Sequence, residues 1–178
     1  MTFINLPGIG NSEATHWHSL WEKQESCFRR FAPGDWDNPE LQDWKNALDR
    51  EVRTSTEPPI LVAHSLACLL VAHWAQETEN RIAGAFLVAV PDPVGGKFPV
   101  QAASFDHVPA NALPFPTVLI ASRNDPYGSF DYVARRAEQW RAGLIDVGER
   151  GHINDASGLG EWLEGRRLLT AFQAGLRR

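Results

Sequence analysis

The segment Ile60-Leu61-Val62-Ala63-His64-Ser65-Leu66-Ala67-Cys68 sets one serine between an apolar run of strand character and an apolar run of helical length. Two places away on either side stand small residues, Ala63 and Ala67. That combination suits a nucleophile on a sharp strand-to-helix turn, where large flanking side chains would keep strand and helix apart. The start of the helix adds partial positive charge, and the backbone N–H of Leu66 points where an oxyanion would form. A serine nucleophile needs a base to take its proton, and the base needs an acid to hold its tautomer. Asp125, in Ser122-Arg123-Asn124-Asp125-Pro126-Tyr127-Gly128, and His152, in Gly148-Glu149-Arg150-Gly151-His152-Ile153-Asn154, each follow a short apolar run. Each also has a plainer role open to it: Ser65 at an ordinary strand–helix junction, Asp125 as a turn residue before Pro126, His152 on a surface loop.

What must position these residues is a set of alternating strands and helices. Strands are predicted at Phe3–Leu6, Cys27–Phe31, Pro59–Ala63, Ala83–Val90, Thr117–Ser122 and Leu144–Val147. Between them lie segments of helical period: 13–24, a stretch opening with Asn38 as cap and Pro39 in the first turn, Leu66 to about Gln76, 129–141, and a closing helix marked by Leu168, Leu169, Phe172 and Leu176. This alternation predicts an α/β fold around a parallel sheet. In such sheets ligands bind at the carboxyl ends of the strands, where Ser65, Asp125 and His152 all fall. Their order along the chain, Ser then Asp then His, is that of α/β hydrolases rather than of chymotrypsin or subtilisin. The turn Pro7-Gly8-Ile9-Gly10-Asn11-Ser12, after the first strand, suits the second half of an oxyanion hole, with the Ile9 N–H as its donor. Residues 91–116 hold six of the twelve prolines (91, 93, 99, 109, 114 and 116) and little periodicity, which marks a functional loop.

Composition narrows the field of functions. With 178 residues the chain fits one domain, 1–178, and seven Trp with nine Phe argue for a packed core rather than disorder. Lys plus Arg is 17 against 22 Asp plus Glu, a net charge of −5, and the arginine pairs are scattered. No basic stripe is available for phosphates, which excludes a nucleic-acid partner. Two cysteines, Cys27 and Cys68, and the lack of a leader or membrane-length segment lead to the expectation of a cytoplasmic protein with no membrane partner. Nothing marks a protein partner.

Other chemistries find less support. Gly8-Ile9-Gly10 begins a dinucleotide fingerprint, but Glu13 stands where the third glycine belongs. His16 and His18 would need Asp92 or His107 to complete a metal site, and the spacing matches no known ligand set; the expectation is no metal and no organic cofactor. His64 projects from the backbone position beside Ser65 and is expected to pack rather than act as base. Cys68, one turn into the helix, is expected to be buried and inert. Trp17, Phe98, Phe105, Phe115 and Tyr127 are candidates for an acyl pocket, with core packing the expected role for most of them.

Four blocks together resemble the small serine hydrolases related to YdeN and retinoblastoma-binding protein 9, a compact branch of the α/β hydrolases. They are Leu6-Pro-Gly-Ile-Gly-Asn-Ser12 with His16-Trp17 and Trp21; Val62-Ala-His-Ser-Leu-Ala-Cys68; Asn124-Asp-Pro-Tyr-Gly-Ser129; and Gly151-His-Ile-Asn-Asp-Ala-Ser-Gly-Leu-Gly-Glu-Trp162. The resemblance spans nearly the whole chain. It implies a three-layer αβα sandwich, a reduced α/β-hydrolase fold with a mostly parallel sheet of about five or six strands and no large cap domain. It also implies a catalytic triad of Ser65, Asp125 and His152. Ala67 stands where relatives usually carry glycine. The expected activity is cleavage of a small-molecule carboxylic ester, or an amide or thioester, through an acyl-enzyme. The alternative is a binding module on a hydrolase fold.

Overall fold

The computed structural model describes residues 1–176. Six strands form one sheet: β1 (Phe3–Leu6), β2 (Phe28–Arg30), β3 (Ile60–His64), β4 (Gly84–Val88), β5 (Thr117–Ala121) and β6 (Gly143–Asp146). Their spatial order is β2-β1-β3-β4-β5-β6, and every neighbouring pair is parallel. The chain steps from β1 outward to β2, then returns across β1 to β3, so the order reverses between β1 and β3. A crevice opens at the carboxyl ends of two strands that part in this way. Leu6 of β1 lies in register with Ala63 of β3, which brings the Pro7–Ser12 turn beside Ser65.

Five α-helices cover the sheet: α1 (Trp17–Gln24), α2 (Leu41–Arg53), α3 (Leu66–Trp74), α4 (Phe130–Trp140) and α5 (Leu163–Gly175). Alternate strand residues feed two cores, which is why β3 and β4 read as unbroken apolar runs. Ile4, Leu61, Leu87 and Leu119 pack with α2, α3 and α4. Phe3, Val62, Phe86 and Ile120 pack on the opposite face with Trp17, Trp21, Trp162 and Leu169. Eight of the nine residues of α3 are buried, so this helix is pressed against the sheet along its length. The αβα sandwich is the expected one, with its sheet wholly parallel. Among the described residues no helix is long and apolar enough to cross a membrane.

Two helix starts differ from the sequence reading. Helix α1 begins at Trp17 rather than at residue 13, because the His16 imidazole accepts the His18 N–H and takes the cap position. Helix α2 begins at Leu41, not at Asn38-Pro39. The Asp35 carboxylate accepts the N–H groups of Asp37 and Asn38 and folds them into a turn, and Glu40 stays extended. The Leu41 N–H donates instead to Ser104 Oγ at 3.1 Å. Ser104 belongs to a 3-10 helix (Val100–Phe105) inside the proline-rich loop.

Candidate active site

One residue separates β3 from α3, and that residue is Ser65, with φ 56° and ψ −126°. A non-glycine residue in this region carries strain of about 1–3 kcal/mol and keeps it only where the surroundings allow no alternative. Here β3 is paired on both sides, the Ser65 N–H donates to the Val88 carbonyl at 2.9 Å, and α3 is sunk in the core. Ala63 and Ala67 are fully buried, so the small residues lie where strand and helix crowd. Gly8 completes the fit: a Cβ there would stand 2.9 Å from Ser65 Cβ and 3.2 Å from the His64 carbonyl. Ser65 occupies the cap position of α3, yet its hydroxyl makes no capping bond.

That hydroxyl turns to His152 instead. Ser65 Oγ lies 2.8 Å from His152 Nε2, and His152 Nδ1 lies 2.9 Å from each Asp125 oxygen. A carboxylate only accepts, so the histidine proton sits on Nδ1 and Nε2 is left to accept from the serine. The His152 and Asp125 side chains are 8% and 2% exposed, which keeps bulk water from competing for these bonds. The Tyr127 N–H donates to Asp125 Oδ1 at 2.9 Å, and the Tyr127 ring lies over the imidazole with centroids 4.4 Å apart.

The loops bearing Asp125 and His152 are tied to each other. Asn124 Oδ1 accepts the Gly151 N–H at 2.7 Å and the Ser122 hydroxyl at 3.0 Å, while Ser122 Oγ accepts the Arg150 N–H at 2.9 Å. His64 Nε2–H donates to the His152 carbonyl at 2.9 Å. Burial holds the His64 imidazole well below its ordinary pKa, with the neighbouring His152 and His16 adding to the effect. It is therefore a neutral strut, as its expected packing role implies. Trp17 Nε1–H donates to the Ile153 carbonyl at 2.8 Å, and Trp21 Nε1–H to the Glu161 carbonyl at 2.7 Å.

On the other side of Ser65, Leu66 is the first residue of α3, and a first-turn N–H has no acceptor within its own helix. Leu66, Gly8 and Ile9 line, with Ser65 and His152, a cavity of about 370 Å³. Pro91, Phe98, Pro99 and Tyr127 also line it. Of the five aromatic candidates, Phe98 and Tyr127 line the cavity; Trp17 and Phe105 are buried in the two cores, and Phe115 packs against one of them. Cys68 is sealed, its Sγ within reach of the Ala63 and Val88 carbonyls, and burial pushes its thiol far up. The His16 imidazole serves as the α1 cap, and His107 is exposed beside Asp106. Among the described residues no group of three or more His, Cys, Asp or Glu is placed to hold a metal ion. Sequence reasoning missed Asn124 and Ser122, although they stand one and three residues before Asp125, and missed what Trp17 and Trp21 do, for which the sequence carries no local signal.

The serine hydrolase family matches the chain over residues 3–171. The chain belongs to that family. Among solved structures, this serine hydrolase is 36% identical to a YdeN-like hydrolase of Pectobacterium atrosepticum, with a TM-score of 0.88 over 98% of this chain and 91% of the other. It is 21% identical to the ydeN gene product of B. subtilis, with a TM-score of 0.81 over 98% of this chain and all of the other. A monoacylglycerol lipase of Paleococcus ferrophilus shares the fold at 15% identity, with a TM-score of 0.68 over 84% and 85% of the two chains. No curated protein matches. Family membership makes the chain a hydrolase.

Proposed function

We propose that this serine hydrolase cleaves small carboxylic esters, with Ser65, His152 and Asp125 acting as its catalytic triad. The observation that carries the reading is the unbroken hydrogen-bond chain from Ser65 Oγ through His152 to Asp125, beginning on a strained serine that lines the cavity. Ser65 Oγ attacks the ester carbonyl as its proton passes to His152 Nε2. Asp125 stays ionised and stabilises the imidazolium. The carbonyl oxygen becomes an oxyanion, held by the backbone N–H groups of Leu66 and Ile9. His152 then returns the proton to the leaving alcohol, and the acyl group remains on Ser65. Water, deprotonated by His152, attacks the acyl-enzyme, and its collapse frees the carboxylic acid and restores the serine. Every proton in this cycle is carried by His152, so it calls for no metal or organic cofactor. Ala67 adds a methyl group beside the turn, and the full burial of that methyl supports an elbow built to accommodate it.

The test is covalent. Wild type and Ser65→Ala are treated with a fluorophosphonate, and adducts are located by mass spectrometry. A single adduct on Ser65, absent from the variant, is expected; folded wild type that takes no label overturns the reading. Matched ester, thioester and amide substrates then place the bond, with the ester expected to be cleaved fastest.

A further inference from the structure

We infer that Arg30 is a positioning residue for the oxyanion hole, acting by fixing the loop that carries the Ile9 N–H. The inference rests on the proposed roles of Ser65, Leu66 and Ile9.

Within that loop a single hydrogen bond, from the Asn11 N–H to the Gly8 carbonyl at 3.2 Å, closes the turn around Ile9 and Gly10. Gly8 and Gly10 flank Ile9, Gly10 has φ 76° and Asn11 has φ 65°, and a chain so rich in permissive positions samples several paths unless something outside it chooses one. On the elbow side the choice is made by contact, since Gly8 packs directly on Ser65. One further tie is the Gly10 N–H, which donates to the Trp36 carbonyl at 2.8 Å. The far end is gripped by Arg30.

Arg30 is the last residue of β2 and lies in register with Asn5 of β1, so it stands beside the strand from which the loop departs. All five of its N–H donors are engaged. Nε and one Nη2 proton bind the two Glu22 oxygens, each at 3.0 Å, and the second Nη2 proton binds Ser19 Oγ at 2.8 Å. Both Nη1 protons go to the loop, one to Asn11 Oδ1 at 2.8 Å and one to the Ser12 carbonyl at 3.2 Å. The fork is anchored in turn: Glu22 also accepts Asn5 Nδ2–H at 2.8 Å, and the Ser19 hydroxyl donates to the same Ser12 carbonyl at 3.2 Å.

Two points decide that the effect is positional rather than a matter of charge. Glu22 pairs with the guanidinium at close range, so little net charge is left to attract an oxyanion. Arg30 spends two donors on loop atoms, in a planar geometry that a lysine ammonium does not reproduce. A backbone donor stabilises an oxyanion only when held within about 0.5 Å of its working place, and such a donor is worth about 10²–10³ in rate. Loosening it forfeits part of that.

Arg30→Lys and Asn11→Gly each release the loop by a different route. The lysine retains a charge for Glu22, and glycine is at ease at the left-handed φ of position 11, so both variants are expected to melt within a few degrees of wild type. With 4-nitrophenyl acetate, kcat/KM is expected to fall about tenfold in each. Since both cut the same tie, the double variant is expected to fall little further than either alone. The decisive readout is the matching thionoester, whose C=S sulfur is a weak hydrogen-bond acceptor and gains little from the hole. The ester-to-thionoester rate ratio is expected to drop about fivefold in both variants, a change that loss of stability or of substrate contact would not produce. An unchanged ratio, or ester rates within twofold of wild type, overturns the role of Arg30. Fluorophosphonate labelling separates the two readings: wild type that labels on Ser65 while the ratio stays constant removes Arg30 alone, and wild type that does not label removes both.

Discussion

Ser65 and His152 meet at 2.8 Å but are held in place by opposite means. The serine is set by main chain and close packing: a paired strand behind it, a buried helix ahead, alanines on either side and Gly8 against its Cβ. Among the described residues no side-chain hydrogen bond reaches its backbone. The histidine sits in a loop with little regular structure, between β6 and a short 3-10 helix (Asp155–Ser157), and is set almost wholly by side chains from elsewhere. Asn124 and Ser122 tie its loop to that of Asp125, His64 holds its carbonyl, and Trp17 holds the residue after it. The serine is thus placed by local folding, whereas the histidine is placed only when distant parts of the chain have come together.

The contrast can be tested by disturbing the histidine and leaving the serine turn intact. Asp125→Asn keeps the size of the side chain but can offer an N–H where His152 needs an acceptor, which favours the wrong tautomer. Turnover is expected to fall by on the order of 10⁴ with little change in thermal stability; near-normal hydrolysis would refute the role of Asp125. A smaller loss is expected of Asn124→Ala, which removes the bonds to Gly151 and Ser122 and touches none of Ser65, His152 and Asp125. Misplacing the imidazole by a fraction of an ångström should lower kcat about tenfold to a hundredfold, with stability down by about 1–3 kcal/mol. Should kcat hold within twofold in that variant, the loops do not depend on this clasp.

The smallest effect concerns His16, whose ring lies 5.0 Å from that of His64. Burial lowers the His16 pKa to about 4; Asp155 opposes the shift, and Arg30 and His152 add to it. Above pH 6.5 the folded and unfolded chains both hold His16 neutral. Between pH 6.5 and about 4 the unfolded chain takes up a proton that the folded one refuses, so stability declines as pH falls. His16→Asn keeps a good helix cap and removes the titration. Urea midpoints at pH 7 and pH 4.5 should show the variant losing less stability than wild type, by on the order of 2 kcal/mol. Equal losses would show that this histidine is not held neutral by the fold.

The same contrast explains what could be read from the chain before its fold was known. Each strand was legible to within a residue or two because a run such as Ile60–His64 carries its own signal. Ser65, Asp125 and His152 stood out because each closes such a run in turn-forming company, and the structure brings their side chains within hydrogen-bond reach. The start of α2 misled because Asn38-Pro39 is a good local cap, while the donor at Leu41 is satisfied by Ser104, 63 residues away. Trp17 and Ile153 are 136 residues apart, and nothing near either announces the bond between them. Arg30 reads as an ordinary edge-strand arginine until the loop it grips lies beside it.

The proline-rich loop carries a last consequence. From Ala102 onward it is welded to the body: Ala102 and Phe105 are fully buried, Ser104 closes α2, and the Pro109 carbonyl accepts the Trp140 indole N–H. Its start is pinned as well, the Asp92 N–H donating to the Tyr127 carbonyl at 2.8 Å. Between these anchors the stretch 93–100 supplies Lys97, Phe98 and Pro99 to the cavity wall and leaves Val94 and Val100 bare, at 91% and 86% exposure. Natural drift or a directed library confined to those eight positions would therefore reshape the cavity wall while Ser65, His152 and Asp125 and both cores go unaltered, so this short span can vary in sequence at little cost to the rest of the fold.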